Sequence, residues 1–342
     1  MSTLETNSIG KYSGNNVSVD DALNLKSYDT AGRDALTASA GDIIYNSQTG
    51  TIDYYNGSSW FATSDNTFQF SGSYLVIAGG GGGGGYRGGG GGGGAGGYRN
   101  SYASETSGGG GSTETSILFP KNTALTVSIG SGGAGGTTYT EDATNGNSST
   151  FYSIVSSGGG GGGGGYSNGL NGASGGGAGG HPFSNFTGGS GLTNQGYDGG
   201  NSTASNPNDY AAGGGGAGGV GGNSLGSGGT GLSSSITGFS ITRAGGGGGG
   251  LYPAGGGGGG GAGGGGAGGS NGSARTGGNG TVNTGSAGGG GGGTGGSGIV
   301  ILRYATADVS SYSQTGLTIA SSISGTDTIL EITAGTGTIT FS

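Results

Sequence analysis

The side chains that could carry chemistry are few and widely separated in this sequence. The single histidine, His181, stands before Pro182 and Phe183, and the chain has no cysteine. One histidine alone is too few ligands for a metal site. Glu141 and Asp142 form the one acidic pair in the glycine-rich part, and paired carboxylates could serve glycoside cleavage. Adjacent side chains on an extended chain point apart, so a solvated loop or a calcium ligand suits this pair better.

Glycine-rich motifs for phosphate binding carry no information in this composition. The pattern GxGxxG matches many times only because glycine is so abundant. Lys11 comes nearest to a phosphate-binding loop, but it lacks the following hydroxyl and the preceding glycine spacing. A net charge of −8 with nine scattered basic residues also disfavours nucleic-acid binding. The sequence therefore predicts a protein that is not an enzyme, uses no cofactor and binds no nucleic acid.

Recognition is the chemistry that the remaining polar segments could perform. Between the glycine runs, aromatic residues stand among Asn, Asp and Ser, and such surfaces suit sugars or proteins. The alternative is that these rings cap the glycine runs or cover exposed backbone. The candidate receptor-binding residues are Tyr98, Arg99, Tyr102, His181, Phe183, Phe186, Tyr197, Tyr210 and Tyr252.

The elements that must position these loops are built largely from glycine. Glycine supplies 104 of 342 residues, and only 28% of the chain is hydrophobic, against roughly 45% in a globular domain. A flexible linker is one reading. Order is favoured, because strongly apolar runs at 74–77 and 299–302 interrupt the glycine, and residues 71–304 hold six acids and six bases. Collagen is excluded, since it needs a strict three-residue glycine period and abundant proline.

Ordered polyglycine requires an interaction that only glycine permits, because glycine loses the most backbone entropy on folding. Extended three-fold helices satisfy this requirement. Without Cβ atoms, neighbouring backbones approach closely and each N–H reaches a carbonyl of an adjacent helix. Hydrogen bonds would then replace a hydrophobic core. The main runs are 79–85, 88–94, 158–165, 213–216, 245–250, 255–261 and 288–293.

Three regions are predicted. Residues 1–66 form a virion-attachment or oligomerisation region, with a helical turn capped by Thr30 and a three-stranded meander at 43–45, 51–55 and 59–62. Asn56-Gly57 is typical of a two-residue hairpin. Residues 67–304 form the glycine-rich domain, and residues 305–342 form a small β module. The predicted strands of the glycine-rich domain are 70–78, 116–119, 125–129, 150–155, 236–243 and 298–304.

The fold class expected is therefore all-β and irregular: a short meander, a glycine-rich β and polyglycine-II sandwich, and a small C-terminal β module. The meander is barely stable alone and must lie on another surface, most simply on copies of itself. We see no signal peptide and no run near the ~20 apolar residues of a membrane span. Synthesis in a cytoplasm, without a cleaved signal, is expected.

Two groups of motifs resemble known phage sequences. Residues 29–36 (DTAGRDAL), 41–46 (GDIIYN) and 54–60 (YYNGSSW) resemble a module of bacteriophage tail-fibre proteins, notably of marine phages. Residues 74–80, 125–136 and 297–304 resemble the glycine-rich domain often found after it. The resemblance covers about residues 29–304 and implies a virion fibre or tail-tip adhesin with polyglycine-II helices and receptor-binding loops. The 38 residues after Tyr304 depart from that pattern.

The resemblance thus implies a homotrimeric adhesin that contacts other virion proteins through its N-terminal region. Its receptor would be a surface glycan or an outer-membrane protein of the host. The main rival is a purely structural capsid decoration or filament subunit. An ice-binding protein is a third possibility, but the irregular bulky loops disfavour the flat, regular face which that role needs.

Overall fold

The computed structural model of the chain describes residues 25–62, 69–85, 89–204, 208–253, 255–270 and 276–342. The chain divides into two compact units, Met1–Thr67 and Phe68–Ser342. Nearly all regular structure in the described residues is β, which confirms the predicted fold class. The elements are β1 (Ser27–Tyr28), α1 (Thr30–Asp34), β2 (Ile43–Asn46), β3 (Thr51–Tyr55), β4 (Trp60–Ala62), β5 (Gln69–Ile77), β6 (Tyr98–Asn100), β7 (Ile117–Pro120), β8 (Leu125–Ser128), β9 (Ser149–Phe151), β10 (Ile154–Ser156), β11 (Asp209–Tyr210), β12 (Leu232–Ser234), β13 (Ile241–Arg243), β14 (Leu251–Tyr252), β15 (Ile299–Ala305), a 3₁₀ turn (Thr306–Asp308), β16 (Tyr312–Ser324) and β17 (Asp327–Phe341).

The first unit is a four-stranded sheet in the order β1-β2-β3-β4. Its last three strands form the antiparallel meander that the sequence predicts, and β1 pairs in parallel with β2. The cap of α1 differs from the prediction. Asp29 rather than Thr30 caps the helix, because the Asp29 carboxylate accepts the backbone N–H of Gly32 at 2.7 Å.

The turn between β3 and β4 also differs from the prediction. Tyr55 pairs with Trp60, which leaves a four-residue loop where a two-residue hairpin was expected. The Asn56 side-chain carbonyl accepts the backbone N–H groups of Ser58 and Ser59, both at 2.9 Å. Asn56 therefore starts an Asx-type turn of its own, which competes with the tight hairpin.

In this small sheet the covered face is largely polar and the exposed face is apolar, the reverse of the arrangement in an ordinary domain. The covered face carries Asn46 and Asp53, both fully buried. On this face Asp53 accepts hydrogen bonds from Arg33 at 2.8 Å and from Asn46 at 3.0 Å. Burial opposes ionisation of Asp53, but these bonds and one from Thr51 outweigh it and hold its pKa below the usual range.

The other face of the same sheet is apolar and exposed. Tyr54 lies opposite Ile43 on one side and Phe61 on the other, and the Tyr54 and Phe61 rings stack at 5.6 Å. Tyr45 belongs to the same face, and all four side chains are at least 40% exposed. The exposed face of this sheet is therefore apolar and its covered face largely polar.

The second unit is organised around a nine-stranded sheet with the path β10-β9-β8-β17-β15-β5-β6. Two further strands lie off this path, β16 beside β17 and β7 beside β5. A parallel bridge from Lys121 to Phe341 joins the end of β7 to the end of β17. The sheet therefore nearly closes on itself in a barrel-like form.

Residues 305–342 form β structure, as the sequence predicts, and their strands belong to the nine-stranded sheet of the second unit. β17 pairs with β15 along residues 327–332, with β8 along residues 336–339 and with β16 over most of its length. Gly335 and Gly337 lie within β17, next to register shifts in the pairing of β17 with β16. The C-terminal strands therefore complete the sheet of the glycine-rich unit.

Side chains pack on both faces of the central strands. On the barrel-like side, Phe70, Phe119 and Phe341 contact one another, with ring centroids 5.0 to 6.3 Å apart. On the other side, Ile77 and Ile301 pack with alanines that belong to the glycine segments, such as Ala95 and Ala217. This two-sided burial explains why the runs 74–77 and 299–302 are continuously apolar.

The glycine segments form a bundle of extended rods with a three-residue repeat. Gly81 donates its N–H to Gly94 at 2.8 Å, and three residues on, Gly84 donates to Gly91 at 2.9 Å. The partner number falls by three as the donor number rises by three, so the two rods run antiparallel. The other residues of this run donate their N–H groups to two further rods with the same three-residue spacing. Gly82 and Gly85 donate to Thr144 and Glu141 of one rod, and Gly80 and Gly83 donate to Gly296 and Gly293 of the other. This is the polyglycine-II arrangement expected from the sequence.

The absence of side chains inside the bundle is a packing requirement. A Cβ atom built on Gly83 would lie 1.9 Å from the carbonyl oxygen of Gly289, and one on Gly92 would lie 2.1 Å from that of Gly247. No side chain fits at such distances. The rods also include segments with other small residues, such as 130–136 and 142–147, in which Ala134 and Thr144 are exposed whereas Ala143 is buried.

Two predicted strands are divided differently in the structure. Residues 150–155 fold as the hairpin β9–β10, in which Tyr152 takes a positive φ of 52°. In the segment 236–243, only residues 241–243 are a strand, and Ile236 is instead fully buried in the second core. Burial within the two segments is uneven, because Phe151 and Ile236 are fully buried whereas Val155 and Phe239 are exposed.

Candidate ligand-binding cleft

Loops that leave the glycine rods converge to form a cleft. Tyr166 directly follows the run that ends at Gly165, and His181 directly follows Gly180. The backbone N–H of Gly165 donates to the carbonyl of Tyr139 at 2.8 Å, which holds a third loop beside them. β11 and β14, which pair as a short antiparallel ribbon, bring in the rest of the lining.

The cleft has a volume of about 530 Å³ and mostly aromatic walls. Tyr139 packs edge-to-face against Tyr166 at 5.4 Å and against Tyr252 at 6.2 Å. His181 continues the series, at 4.6 Å from Tyr166 and 5.8 Å from Phe183. Interplanar angles of 64° to 73° give edge-to-face contacts between neighbouring rings, which form a continuous aromatic lining. The full lining is Tyr139, Tyr166, His181, Pro182, Phe183, Asp209, Tyr252 and Pro253.

One buried carboxylate lies in this aromatic surface. Asp209 is only 5% exposed and accepts a hydrogen bond from the Tyr139 hydroxyl at 2.5 Å. Burial raises the pKa of Asp209, while the bond from Tyr139 and the proximity of His181 oppose this rise. Burial, and then Asp209 itself, also raise the pKa of the Tyr139 hydroxyl, so Tyr139 stays protonated and acts as a donor.

His181 is held by its own loop. Its Nδ1 accepts the backbone N–H of Phe183 at 3.2 Å, which assigns the proton of a neutral ring to Nε2. Among the described residues, no three His, Cys, Asp or Glu side chains are grouped so as to hold a metal ion. The cleft therefore offers ring faces, one carboxylate and one imidazole, which is chemistry for binding.

The structure brings only some of the predicted recognition residues together. His181, Phe183 and Tyr252 line the cleft. Tyr210 lies next to Asp209 in β11, but its hydroxyl is directed to the Asn208 side chain at 3.1 Å. Phe186 and Tyr197 lie on other loops. Phe186 forms an isolated antiparallel β-bridge with Ser202, and the backbone N–H of Tyr197 donates to the carbonyl of Gly216.

The prediction that Tyr98 lies in a binding loop is wrong. Tyr98 belongs to β6, is fully buried, and packs in the second core with Leu75 and Ile77. The sequence suggested a loop because Tyr98 stands between a glycine run and polar residues. Pairing of β6 with β5 makes it a core position.

The neighbours of Tyr98 have internal partners as well. Arg99 forms an ion pair with Glu114, with an Nη2–Oε2 distance of 2.6 Å, and Glu114 also accepts the Tyr74 hydroxyl at 2.8 Å. Tyr102 lies beneath the Arg303 guanidinium, 5.1 Å from its ring centroid. Arg99 borders a second, more polar cleft of about 530 Å³, where its charge is already neutralised.

Besides the two prolines, three lining residues were not among the predicted recognition residues: Tyr139, Tyr166 and Asp209. One signal was available for Tyr166, because the first bulky residue after a long glycine run must lie where a rod ends. Tyr139 and Asp209 carry no such signal. They are 70 residues apart and are joined only by the arrangement of the rods.

Comparison with known protein families agrees with this architecture. The profile of the family described as "Glycine-rich domain" matches residues 57–305, more than half of the chain. The fold and cleft thus define an all-β protein with a polyglycine scaffold, and the chain belongs to the glycine-rich domain family. Neither the curated proteins nor the solved structures include a match. No helix in the described residues has the length and apolarity needed to cross a membrane.

Proposed function

We propose that this chain is a structural virion protein, a fibre or tail-tip adhesin of a bacteriophage, and that it binds a host surface receptor in the aromatic cleft. The observation that carries the proposal is the convergence of Tyr166, His181 and Phe183 at the ends of glycine rods. The resemblance of residues 29–60 to tail-fibre modules supports the phage assignment. A glycan or an outer-membrane protein of the host is the proposed receptor.

The scaffold favours this use of the loops. A Cβ on most glycines of the rods would collide with a neighbouring backbone carbonyl, so the large side chains that could contact a ligand lie in the loops that leave the rod ends. Hydrogen bonds along the rods fix where each loop begins, and binding loops on a rigid scaffold lose less entropy when a ligand binds. Phe183, at 70% exposed, is the cleft ring most available to a large partner.

Adsorption to cells tests this proposal. We expect fluorescently labelled full-length protein to sediment with cells of a susceptible strain within a panel that includes marine cyanobacteria. Phe183→Ser should weaken adsorption by at least about tenfold, since truncating a residue that anchors an interface costs about 2 kcal/mol or more. Phe239→Ser is the matched control, because Phe239 is 79% exposed and does not line the cleft.

Two results would count against the adhesin. Equal adsorption of Phe183→Ser and Phe239→Ser would show that the cleft is not part of the binding surface. If no strain of the panel is bound while the protein is folded, the alternative of a capsid decoration or filament subunit without a receptor gains support.

We further propose that the exposed face of the first unit assembles copies of the chain, as a homotrimer. The face formed by Ile43, Tyr45, Tyr54 and Phe61 carries no charge, so it needs an uncharged partner. A second copy supplies the same face in fixed stoichiometry. The sheet also has Ile44 as its one buried hydrophobic residue among those described, too little to stabilise it alone. Three-fold assembly follows the resemblance to phage fibres.

Sedimentation equilibrium tests the assembly. The full-length protein should be a trimer, and Tyr54→Ser combined with Phe61→Ser should shift it to monomer, because both apolar anchors are lost. Val282→Ser, at a residue 66% exposed in the second unit, should leave the trimer intact. A monomeric full-length protein would mean that another virion protein, or another part of the same chain, covers the face.

A further inference from the structure

We infer that the aromatic cleft binds an organic ammonium group, of the size of choline, through its ring faces and Asp209. The inference rests on the proposed function and names the chemistry that the receptor would present to this site. It is drawn from three properties of the cleft: the arrangement of its rings, the sign of its charge and its size.

Neighbouring rings of the cleft are crossed. Tyr139 meets Tyr166 at an interplanar angle of 73° and Tyr252 at 64°, and Tyr166 meets His181 at 64°. A flat sugar face stacks best on one ring, whereas crossed rings surround a compact group on several sides. The negative faces of Tyr rings attract a cation within about 6 Å of the ring centroid.

The charge of the cleft has the sign that a cation requires. Asp209 is its one acidic lining residue, and among the lining residues described, none is Lys or Arg. Within the described chain, every Lys or Arg ion pair is made with another acid, so no such pair compensates the buried Asp209 carboxylate. Tyr139 donates one neutral hydrogen bond to it. Burial raises the Asp209 pKa, Tyr139 and the proximity of His181 oppose this rise, and an ammonium group nearby would add a full opposite charge.

The size of the cleft suits a head group. A volume of about 530 Å³ lies in the range of small-molecule sites, roughly 300–1,000 Å³, and is far below what a protein surface would fill. His181 is the other titratable side chain besides the tyrosines and Asp209 in the lining. In its neutral form it adds a further ring wall and leaves the net charge of the cleft negative.

Calorimetric titration of the full-length protein with choline is the test, with 3,3-dimethylbutanol as the neutral isostere. Choline should bind at least about tenfold more tightly than the isostere, since only choline carries the charge. Asp209→Asn keeps the shape and an acceptor for Tyr139, and should weaken choline binding about tenfold or more without changing the isostere. Tyr166→Leu keeps apolar contact and should weaken choline alone.

Glucosamine and N-acetyl-lysine methylamide, titrated in parallel, distinguish an amino sugar and a lysine side chain from a quaternary ammonium group as the source of the cation. Equal affinity for choline and its isostere, or no heat with any of the three cations, would overturn the inference. Unchanged choline binding by folded Asp209→Asn would do the same.

The adsorption assay separates this inference from the proposed function. If Phe183→Ser abolishes adsorption while choline neither binds nor competes, the adhesin stands and the cation inference falls. If choline binds but cleft substitutions leave adsorption intact, the cleft is a cation site and the adhesin proposal for it falls.

Discussion

Gly258→Ala should destabilise the second unit by at least about 3 kcal/mol, a larger cost than most overpacking substitutions. A Cβ on Gly258 would lie 2.2 Å from the carbonyl oxygen of Gly226, a backbone atom that can move only if the rods separate. Separation would also stretch the bonds from Gly258 to Gly249 at 2.8 Å and from Gly268 to Gly258 at 2.9 Å. Thermal unfolding followed by calorimetry measures the effect.

Gly259→Ala is the matched control for this prediction. It lies one residue further along the same run, but its Cβ would meet only the Ser227 hydroxyl at 3.6 Å, an ordinary contact. Since alanine restricts the unfolded chain, this variant should be neutral or up to about 1 kcal/mol more stable. Similar melting temperatures for both alanine variants would contradict the polyglycine bundle itself.

Phe119→Ala should cost about 3–5 kcal/mol of unfolding free energy, the range for deleting a buried aromatic ring. Phe119 is fully buried, and its ring lies 5.3 Å from Phe70, 5.2 Å from Phe151 and 6.3 Å from Phe341. The last contact ties β7 to the C-terminal strand, so the cavity would loosen the point at which the sheet nearly closes. Denaturant unfolding monitored by near-ultraviolet circular dichroism gives the measurement.

Leu118→Ala serves as the control, since Leu118 is the neighbouring residue in β7 and is 57% exposed. Its removal should change the unfolding free energy by no more than about 0.5 kcal/mol. A small effect at Phe119, comparable with that at Leu118, would show that the barrel-like core contributes little and that the rods alone stabilise the unit.

Local sequence patterns were sufficient to predict much of the scaffold. The runs at 79–85 and 158–165 predicted three-fold rods, because close backbone packing is what only glycine permits. The strands around 74–77 and 299–302 followed from continuous apolar residues. The meander of the first unit followed from alternation, although the Asn56 turn did not, because side-chain bonds to Ser58 and Ser59 decide its length.

The candidate site was only half visible in the sequence. His181, Phe183 and Tyr252 were predicted as recognition residues and line one cleft, but Tyr98 proved to be a core residue. Exposure depends on which strands pair. The pairing of β6 with β5 is a contact between segments more than twenty residues apart, and nothing local to Tyr98 specifies it.

By itself, then, the sequence determined the kind of backbone this protein has. The backbone preference of glycine is a property of each residue, so it can be predicted without knowing the fold. Tertiary structure alone decided that Tyr139 meets Asp209, that β17 joins the central sheet, and that the apolar face of the first unit points outward. Each of these depends on which rods and strands are neighbours. Because glycine runs are nearly identical to one another, their order in the bundle is set by the loops and strands between them.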